Sequence, residues 1–406
     1  MSAVPAPTGD SRTGVGIGLA LVCVLGLSFN LRPTAIAVGP LLTQISADLG
    51  LTPSLAGLLT TMPALCFAVF GALSPMVAAR IGLHRAIVLA LVLITAGQIG
   101  RVLVHSPAAF LTLTGTALAG MAAANVLLPS LIKIHFADRI GRMTAVYSTV
   151  LAIGLTLASV TTVPIAQASG SWRLALGCWA ITAAGALVPW WWMQRADRHL
   201  RIRARTADPR LSLWQIARTP LGLVMAGYFG LQSIQAYSTF GWLPTILQSY
   251  GWPAAEAGYA LGLVTGVSIP CSLFLPQLVA RMARPDILMT TVVLASTVGN
   301  LGIWLRPEWS YLWAIVLAYG GSAFPIFLTL IGLRSRTSGG TAALSGFTQS
   351  IGYLIAATGP FLVGLLREVT GSWTVPLLFL TVLTLPLLVL ALIAVRPAHI
   401  EDQLRA

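Results

Sequence analysis

Charged residues are scarce in this sequence, which argues against a soluble protein. Only 9% of the 406 residues are charged, 56% are hydrophobic, and the mean hydropathy is +0.85. A soluble domain is usually about one quarter charged. Most of the surface of the chain is therefore predicted to face lipid.

Cysteine and histidine are rare as well, and their spacing predicts neither a metal site nor a catalytic cluster. The chain has five histidines and four cysteines, with no CxxC motif. Isolated cysteines in apolar segments usually pack as small hydrophobic residues. We therefore expect no metal, no cofactor and no enzymatic activity, and simple packing for the four cysteines, which are Cys23, Cys66, Cys178 and Cys271.

Apolar runs long enough to cross a bilayer, at about 20 residues each, recur along the whole chain. They predict an all-α integral membrane protein with twelve transmembrane helices. The segment from Gly14 to Leu42 is too long for a signal-peptide core and has no small-residue cleavage site, so we expect it to be retained. The predicted helices lie near 14–45, 54–80, 86–105, 108–136, 143–167, 172–194, 218–248, 255–281, 286–305, 310–333, 341–367 and 373–395.

The net charge of +13 follows the predicted topology. Basic residues gather in alternate connections, as the positive-inside rule requires of cytoplasmic loops. This pattern predicts a multi-pass protein of the plasma (inner) membrane with both termini in the cytoplasm. Only a few arginines fall within the helices or at their outer ends: Arg32, Arg101, Arg173, Arg306 and Arg367.

A basic stretch divides the chain in the middle. It predicts an N-terminal six-helix half at 1–194, a cytoplasmic linker at 195–217 and a C-terminal six-helix half at 218–406. Binding of nucleic acid or anionic lipid is the alternative reading of the stretch, but its position between two helices favours a linker. We therefore expect membrane lipid around the protein and no nucleic-acid partner.

The two halves repeat each other at one offset. Pro75 to Arg80 recurs as Pro276 to Arg281, Ala56-Gly57 as Ala257-Gly258, and Gly170-Ser-Trp172 as Gly371-Ser-Trp373, each 201 positions later. Six helices per half is an even number, so the repeats are parallel, which is the plan of major facilitator transporters.

Arg32 interrupts the first apolar segment. A guanidinium is always charged and costs a few kcal/mol at the centre of a bilayer. At about 1.5 Å per residue, Arg32 lies roughly 27 Å into its helix, at or beyond the midplane. Because Pro33 has no N–H, the carbonyl of Phe29 loses a partner at that depth. These features predict a polar site inside the membrane.

No acid is placed to neutralise Arg32, because all eleven acids fall in predicted loops or at helix ends. Asp48, the acid closest in sequence, would lie about 24 Å away along the helix axis. A buried charge without a partner is strongly unfavourable, so we expect an anionic substrate to be the partner. In the alternative, Arg32 bonds the freed carbonyls or extends to water.

Other polar residues at mid-helix depth are further candidates for substrate binding. The offset places Ser233, and with it the stretch from Gln232 to Tyr237, opposite Arg32. Hydrogen bonds between helices are the alternative role for these side chains and for Asn125. The complete predicted set is Asn30, Arg32, Asn125, Gln232, Gln235, Tyr237, Gln349 and Tyr353.

Energy coupling has one candidate residue. Proton-driven carriers usually need a titratable group in the membrane, and His135 at the inner end of the fourth helix comes nearest to that position. An interfacial role is the alternative for His135. A substrate that is a weak acid would carry the coupling proton itself, and uniport or exchange would need no such residue.

Several motifs together resemble one family. They are Asn30-Leu-Arg-Pro33, Asn125-Val-Leu-Leu-Pro129, Gly230-Leu-Gln-Ser233 with Tyr237, Trp242-Leu-Pro244, Gln349-Ser-Ile-Gly-Tyr353 and Gly359-Pro360. Across nearly the whole chain the sequence resembles the cyanate and nitroimidazole transporter family (CynX/NimT) of the major facilitator superfamily. The resemblance implies movement of small anions, weak acids or small nitro-heterocycles.

Our interpretation is a secondary or facilitative transporter, expected to be a monomer, that moves a small, anionic molecule by alternating access. Efflux of neutral or cationic drugs is the first alternative, and it is weakened by the lack of an intramembrane acid. An integral-membrane enzyme is the second, and no catalytic constellation supports it. A sensor would more naturally carry an additional soluble domain.

Overall fold

The computed structural model describes residues 16–136, 139–196 and 213–404. These ranges contain helices and connections but no strand. The reason is physical, because a backbone in lipid must satisfy its polar groups internally, and an apolar helix does so within one segment.

The first half of the molecule, residues 16–196, contains nine α-helices and one π-helical turn at Phe67–Gly71. The α-helices are α1 Ile17–Asn30, α2 Pro33–Ile36, α3 Val38–Leu49, α4 Pro53–Cys66, α5 Ala72–Ile81, α6 Leu83–Leu103, α7 Pro107–His135, α8 Ile140–Ser169 and α9 Trp172–Ala196.

The second half, residues 213–404, contains nine more α-helices and a short 3₁₀ turn at Pro307–Trp309. The α-helices are α10 Leu213–Ala217, α11 Pro220–Ser249, α12 Ala254–Arg281, α13 Pro285–Leu305, α14 Ser310–Gly320, α15 Ala323–Leu333, α16 Ser338–Thr370, α17 Thr374–Ala394 and α18 Ile400–Leu404.

The structure refines three of the predicted segments. The first is not one helix over 14–45 but α1, α2 and α3, with breaks at Leu31-Arg32 and at Ala37. The tenth is divided at Gly321-Ser322, and the end of the predicted linker forms α10. Most of that linker, residues 197–212, lies outside the described residues, so its role stays a prediction.

Eleven helical segments of the described chain are long and apolar enough to cross a membrane, against twelve predicted. The difference is α11, which has 30 residues but does not reach the same hydropathy. Gln232, Ser233 and Gln235 lower its apolar character near the middle. A helix that faces a polar cavity instead of lipid shows this composition.

The hydrophobic cores show how the halves meet. At the end of the bundle where α3 joins α4 and α11 joins α12, one core contains residues of both halves, among them Leu59 and Val363. We call this end the sealed end. At the other end, which carries the arginines from Arg80 to Arg85 and from Arg281 to Arg284, each half has a separate core. We call it the basic end.

Candidate functional site

A cavity of about 940 Å³ lies between the two halves. Its wall extends from Gly39 and Leu59, near the shared core, to Tyr147 and Gln277, near the start of α8 and the end of α12. The cavity therefore extends toward the basic end, where the halves have separate cores, and ends below the sealed end.

The break after α1 brings Arg32 to the cavity wall. The residue adopts φ −125° and ψ −38°, outside the helical geometry, and Pro33 begins α2. Proline suits a first helical position, where no N–H is needed. The sequence prediction that Pro33 interrupts the helix at this depth is thus explained by the structure, and Arg32 lines the cavity.

Aromatic rings surround the guanidinium of Arg32. It lies over the ring of Phe67 at 5.8 Å from the centroid, and Phe67 stacks on Tyr353 at a centroid distance of 5.1 Å. The hydroxyl of Tyr237 interacts with both Arg32 and Tyr353. The residues meet across the interface between halves, because Arg32 and Phe67 belong to the first half and the two tyrosines to the second.

Arg32 supplies the only formal charge in the cavity wall, as far as the described residues show. The lining contains no aspartate and no glutamate. None of the ion pairs among the described residues includes Arg32. The cavity wall thus carries one positive charge and a set of amides and hydroxyls, on a surface that is otherwise mostly aliphatic and aromatic.

Three further predicted residues present amides to the cavity. Asn125 lines it from α7 and forms no hydrogen bond with another described group. Gln232 donates its amide hydrogen to Ser233 Oγ at 2.7 Å, and Gln349 donates to Ser345 Oγ at 2.7 Å. The side-chain oxygens of both glutamines accept nothing from the protein in these contacts, which leaves acceptors at the cavity.

Gln235 differs from these residues because its amide is used within the second half. It donates to the carbonyl of Leu380 at 2.7 Å and accepts from Asn300 Nδ2 at 2.9 Å. These bonds connect α11 to α13 and α17. Although Gln235 borders the cavity, its geometry fits the interhelical role that the sequence left open.

Asn30 does not reach the cavity, so the expectation that it contacts a ligand is corrected. It is only 2% exposed, donates to the carbonyls of Gly26 and Thr182 at 2.8 and 3.1 Å, and accepts from Thr182 Oγ1 at 2.7 Å. The hydrogen bonds of this amide to Thr182 connect the end of α1 to α9, two residues before Arg32.

His135 lies at the basic end of α7, outside the cavity lining. Its Nε2 is 3.1 Å from the Nε2 of His84, and the rings meet edge to face. A coupling role for His135 would thus act at a distance from Arg32, and it stays a prediction.

Two aromatic residues of the site were not among those predicted from the sequence: Tyr147 lines the cavity, and Phe67 contacts Arg32 without lining the cavity. Phe67 and Tyr147 have ordinary neighbours in apolar helices, and no charge or proline marks them. For Phe67 the signal would have been its place in the π-helical turn, which moves the ring relative to a regular helix. Such turns are not visible in the hydrophobic pattern.

Comparisons with known proteins agree with this geometry. Residues 17–357 match the family model of the Major Facilitator Superfamily. The chain is 35% identical over 384 residues to the 2-nitroimidazole transporter of Escherichia coli (strain K12), covering 93% of this chain and 95% of that protein. It is 30% identical to the Cyanate transport protein CynX of the same organism, covering 92% and 96%.

The fold is shared with more distant transporters as well. A crystal structure of a nucleoside transporter superposes with a TM-score of 0.77 over 94% of this chain and 100% of the other, at 14% identity. The resemblance predicted from the sequence motifs is confirmed, and the protein is a multi-pass membrane transporter of small molecules. The chain belongs to the major facilitator superfamily and, within it, to the family of the nitroimidazole and cyanate transporters.

Proposed function

We propose that the protein moves a small anion, a weak acid or a nitroimidazole-like compound, and that Arg32 is the charge that binds it. The observation that carries this proposal is the cavity wall, in which Arg32 is positive and no described residue is acidic. Arg32 is half-buried, and a cation that has lost part of its water without gaining an acidic partner is stabilised by an anionic ligand. A guanidinium also suits planar oxyanions, because it donates two parallel hydrogen bonds.

The surroundings of Arg32 fit such a cargo. Tyr237 and Tyr353 provide hydroxyl groups, and Phe67 provides an aromatic face beside the charge. Asn125, Gln232 and Gln349 complete a polar surface on three different helices. A small planar anion would therefore find a charge and hydrogen-bond donors in one cavity, with an aromatic ring beside the charge.

Transport follows by alternating access between the two halves. The positive-inside rule identifies the basic end with the cytoplasm, so both termini are cytoplasmic and the cavity extends inward. The described acids lie outside the cavity wall, so none of them is placed to carry a coupling proton, and we propose uniport or exchange of the anionic cargo. Drug efflux of cations would need a negative group in this wall, and none of the described residues supplies one.

Purified protein in liposomes tests this function with a panel of cyanate, 2-nitroimidazole and a cationic drug. We expect uptake of anionic or weakly acidic probes and a loss of at least about tenfold in their affinity in Arg32→Gln, since a charged hydrogen bond contributes about 1.5–3 kcal/mol. Arg281→Gln, an exposed charge at the end of α12, is the matched control. Uptake of cations alone, or an Arg32→Gln variant with unchanged affinity and rate, would refute the proposal.

A further inference from the structure

A second arginine lies close to the cavity but has no place in the function proposed above. The sequence pattern counted Arg101 among the few arginines that fall within the helices or at their outer ends. In the structure its side chain is completely buried, with 0% exposure. A guanidinium this far from water needs compensation from neighbouring groups.

The neighbours of Arg101 supply only part of that compensation. Its Nη1 donates to the carbonyl of Thr34 at 3.1 Å. Its Nε and Nη2 have no hydrogen-bond partner, and no ion pair among the described residues includes it. Arg101 is therefore a buried charge that the described protein does not neutralise.

Thr34 connects this charge to the cavity. The residue belongs to α2, directly after the break at Arg32, and it lines the cavity wall. Gln98, one turn before Arg101 on α6, donates to Thr34 Oγ1 at 2.9 Å, while its own Oε1 has no partner. Gln98 and Arg101 of α6 thus both donate hydrogen bonds to Thr34, from the side that faces away from the cavity.

We propose that Arg101 is a specificity-determining residue of the binding site, a second positive charge that acts on the cargo through Thr34. Arg32 contacts the cargo from the cavity wall, and Arg101 raises the positive potential behind that wall. Because the interior has a low effective dielectric constant, a charge one residue behind the wall still interacts with an anion in the cavity. The site then favours the anionic form of a ligand over a neutral form of the same shape.

This inference rests on the proposed function and adds selectivity to it. If Arg101 were only a structural clamp on α2, its removal would weaken binding of anionic and neutral ligands alike. If it acts through charge, its removal changes the ratio of their affinities. Selectivity between two ligands of similar shape therefore separates the two roles.

The test compares 2-nitroimidazole, in buffer alkaline enough to remove its ring proton, with 1-methyl-2-nitroimidazole, which has no such proton. Binding to the full-length protein is measured by calorimetry for the wild type, Arg101→Met, Arg101→Lys and Gln98→Glu. The last variant keeps Arg101 and its hydrogen bond to the Thr34 carbonyl and sets a carboxylate beside it, which cancels the charge. The carboxylate replaces the donor of Gln98 with an acceptor for the Thr34 hydroxyl.

We expect Arg101→Met and Gln98→Glu to weaken binding of the anion by about tenfold and to change binding of the neutral probe by less than about twofold. Arg101→Lys keeps the charge and should retain the preference for the anion. Equal losses for both probes, or an unchanged ratio in Gln98→Glu, would overturn the proposal. Gln98→Glu also decides the matter if Arg101→Met does not fold.

Arg32→Gln in the same series separates this inference from the function it rests on. Unchanged binding of both probes by Arg32→Gln would refute the proposed function. Weakened binding by Arg32→Gln, together with an unchanged ratio in Arg101→Met and Gln98→Glu, would refute only the role of Arg101.

Discussion

The polar side chains near the cavity fall into two groups, which their hydrogen bonds distinguish. Gln235 has partners at both ends of its amide, on Leu380 and Asn300. Gln232 and Gln349 use only their amide hydrogens, each on a serine. An amide that is already saturated stabilises the fold, whereas an amide with a free acceptor is available to a ligand or to water.

Replacing Gln235 should therefore affect stability more than binding. Gln235→Leu leaves the amide of Asn300 without its acceptor in a buried region, which costs about 1–3 kcal/mol. It also removes a second hydrogen bond from the carbonyl of Leu380, which lies inside α17. We expect a lower melting temperature in a thermal-shift assay and a substrate affinity within about threefold of the wild type. Gln232→Leu serves as the matched control.

For Gln232→Leu we expect the opposite pattern, with a nearly unchanged melting temperature and weaker binding. A Gln235→Leu variant that melts like the wild type but no longer binds would place Gln235 in the site itself.

The sequence predicts the depth of these residues in the membrane but not the direction in which their side chains point. Asn30 and Arg32 are two positions apart, yet one faces α9 and the other the cavity. The break between them rotates the chain, so helical periodicity cannot be extended from one to the other. The burial of Arg101 was not predicted either, because the pattern gives its distance from the helix end but not which helices pack around it.

At the scale of elements, hydropathy and proline predicted most helix positions. The predicted bounds of the fourth segment, 108–136, differ by one residue at each end from α7, Pro107–His135. The break at Gly321-Ser322 and the π-helical turn at Phe67–Gly71 were not predicted. Both depend on tertiary packing around the cavity, which leaves no periodic mark in a uniformly apolar segment.

A C-terminal helix without a membrane-spanning role stabilises the start of α16. Glu401 in α18 accepts hydrogen bonds from Ser335 Oγ at 2.8 Å, from the backbone of Arg336 at 3.0 Å and from Thr337 Oγ1 at 2.9 Å. Asp402 pairs with Arg336 at 2.8 Å. Since α16 carries Gln349 and Tyr353, α18 supports a helix of the candidate site.

This support should depend on pH in a definite direction. Burial raises the pKa of Glu401, but its hydrogen-bond donors outweigh burial and hold the pKa at about 2, against an ordinary 4.5. A carboxyl group with a lowered pKa contributes stability above its unfolded value. The contribution is thus complete above pH 4.5 and is lost as the pH falls toward 2.

The substitution Glu401→Gln tests the direction of this pH dependence. We expect the variant to be less stable than the wild type at neutral pH by about 1 kcal/mol, a small value because the group is near water. The difference should shrink as the pH falls below 4.5, measured as melting temperature against pH. A difference that grows on acidification would contradict the assignment.

At the scale of the whole molecule, close backbone contacts between the two halves keep the sealed end closed. A Cβ at Gly57 of α4 would lie 3.1 Å from the carbonyls of both Pro360 and Phe361 on α16. Near the same place, Glu368 of α16 accepts hydrogen bonds from the backbone and the hydroxyl of Ser54. The sealed end is therefore held by the shared hydrophobic core, by this close backbone contact and by the hydrogen bonds of Ser54 to Glu368, all of which would have to separate for the cavity to open there.

Gly57→Leu should consequently favour the state in which the sealed end is open. A leucine side chain does not fit against the α16 backbone, whereas Gly185, which has no neighbour within 4 Å, accepts the same substitution and serves as control. In a background without the four native cysteines, Ser268→Cys in the cavity wall reports access to a membrane-impermeant maleimide added at the basic end. We expect slower labelling in Gly57→Leu and unchanged labelling in Gly185→Leu. Equal labelling of both variants would mean that the Gly57 contact does not control which end is closed.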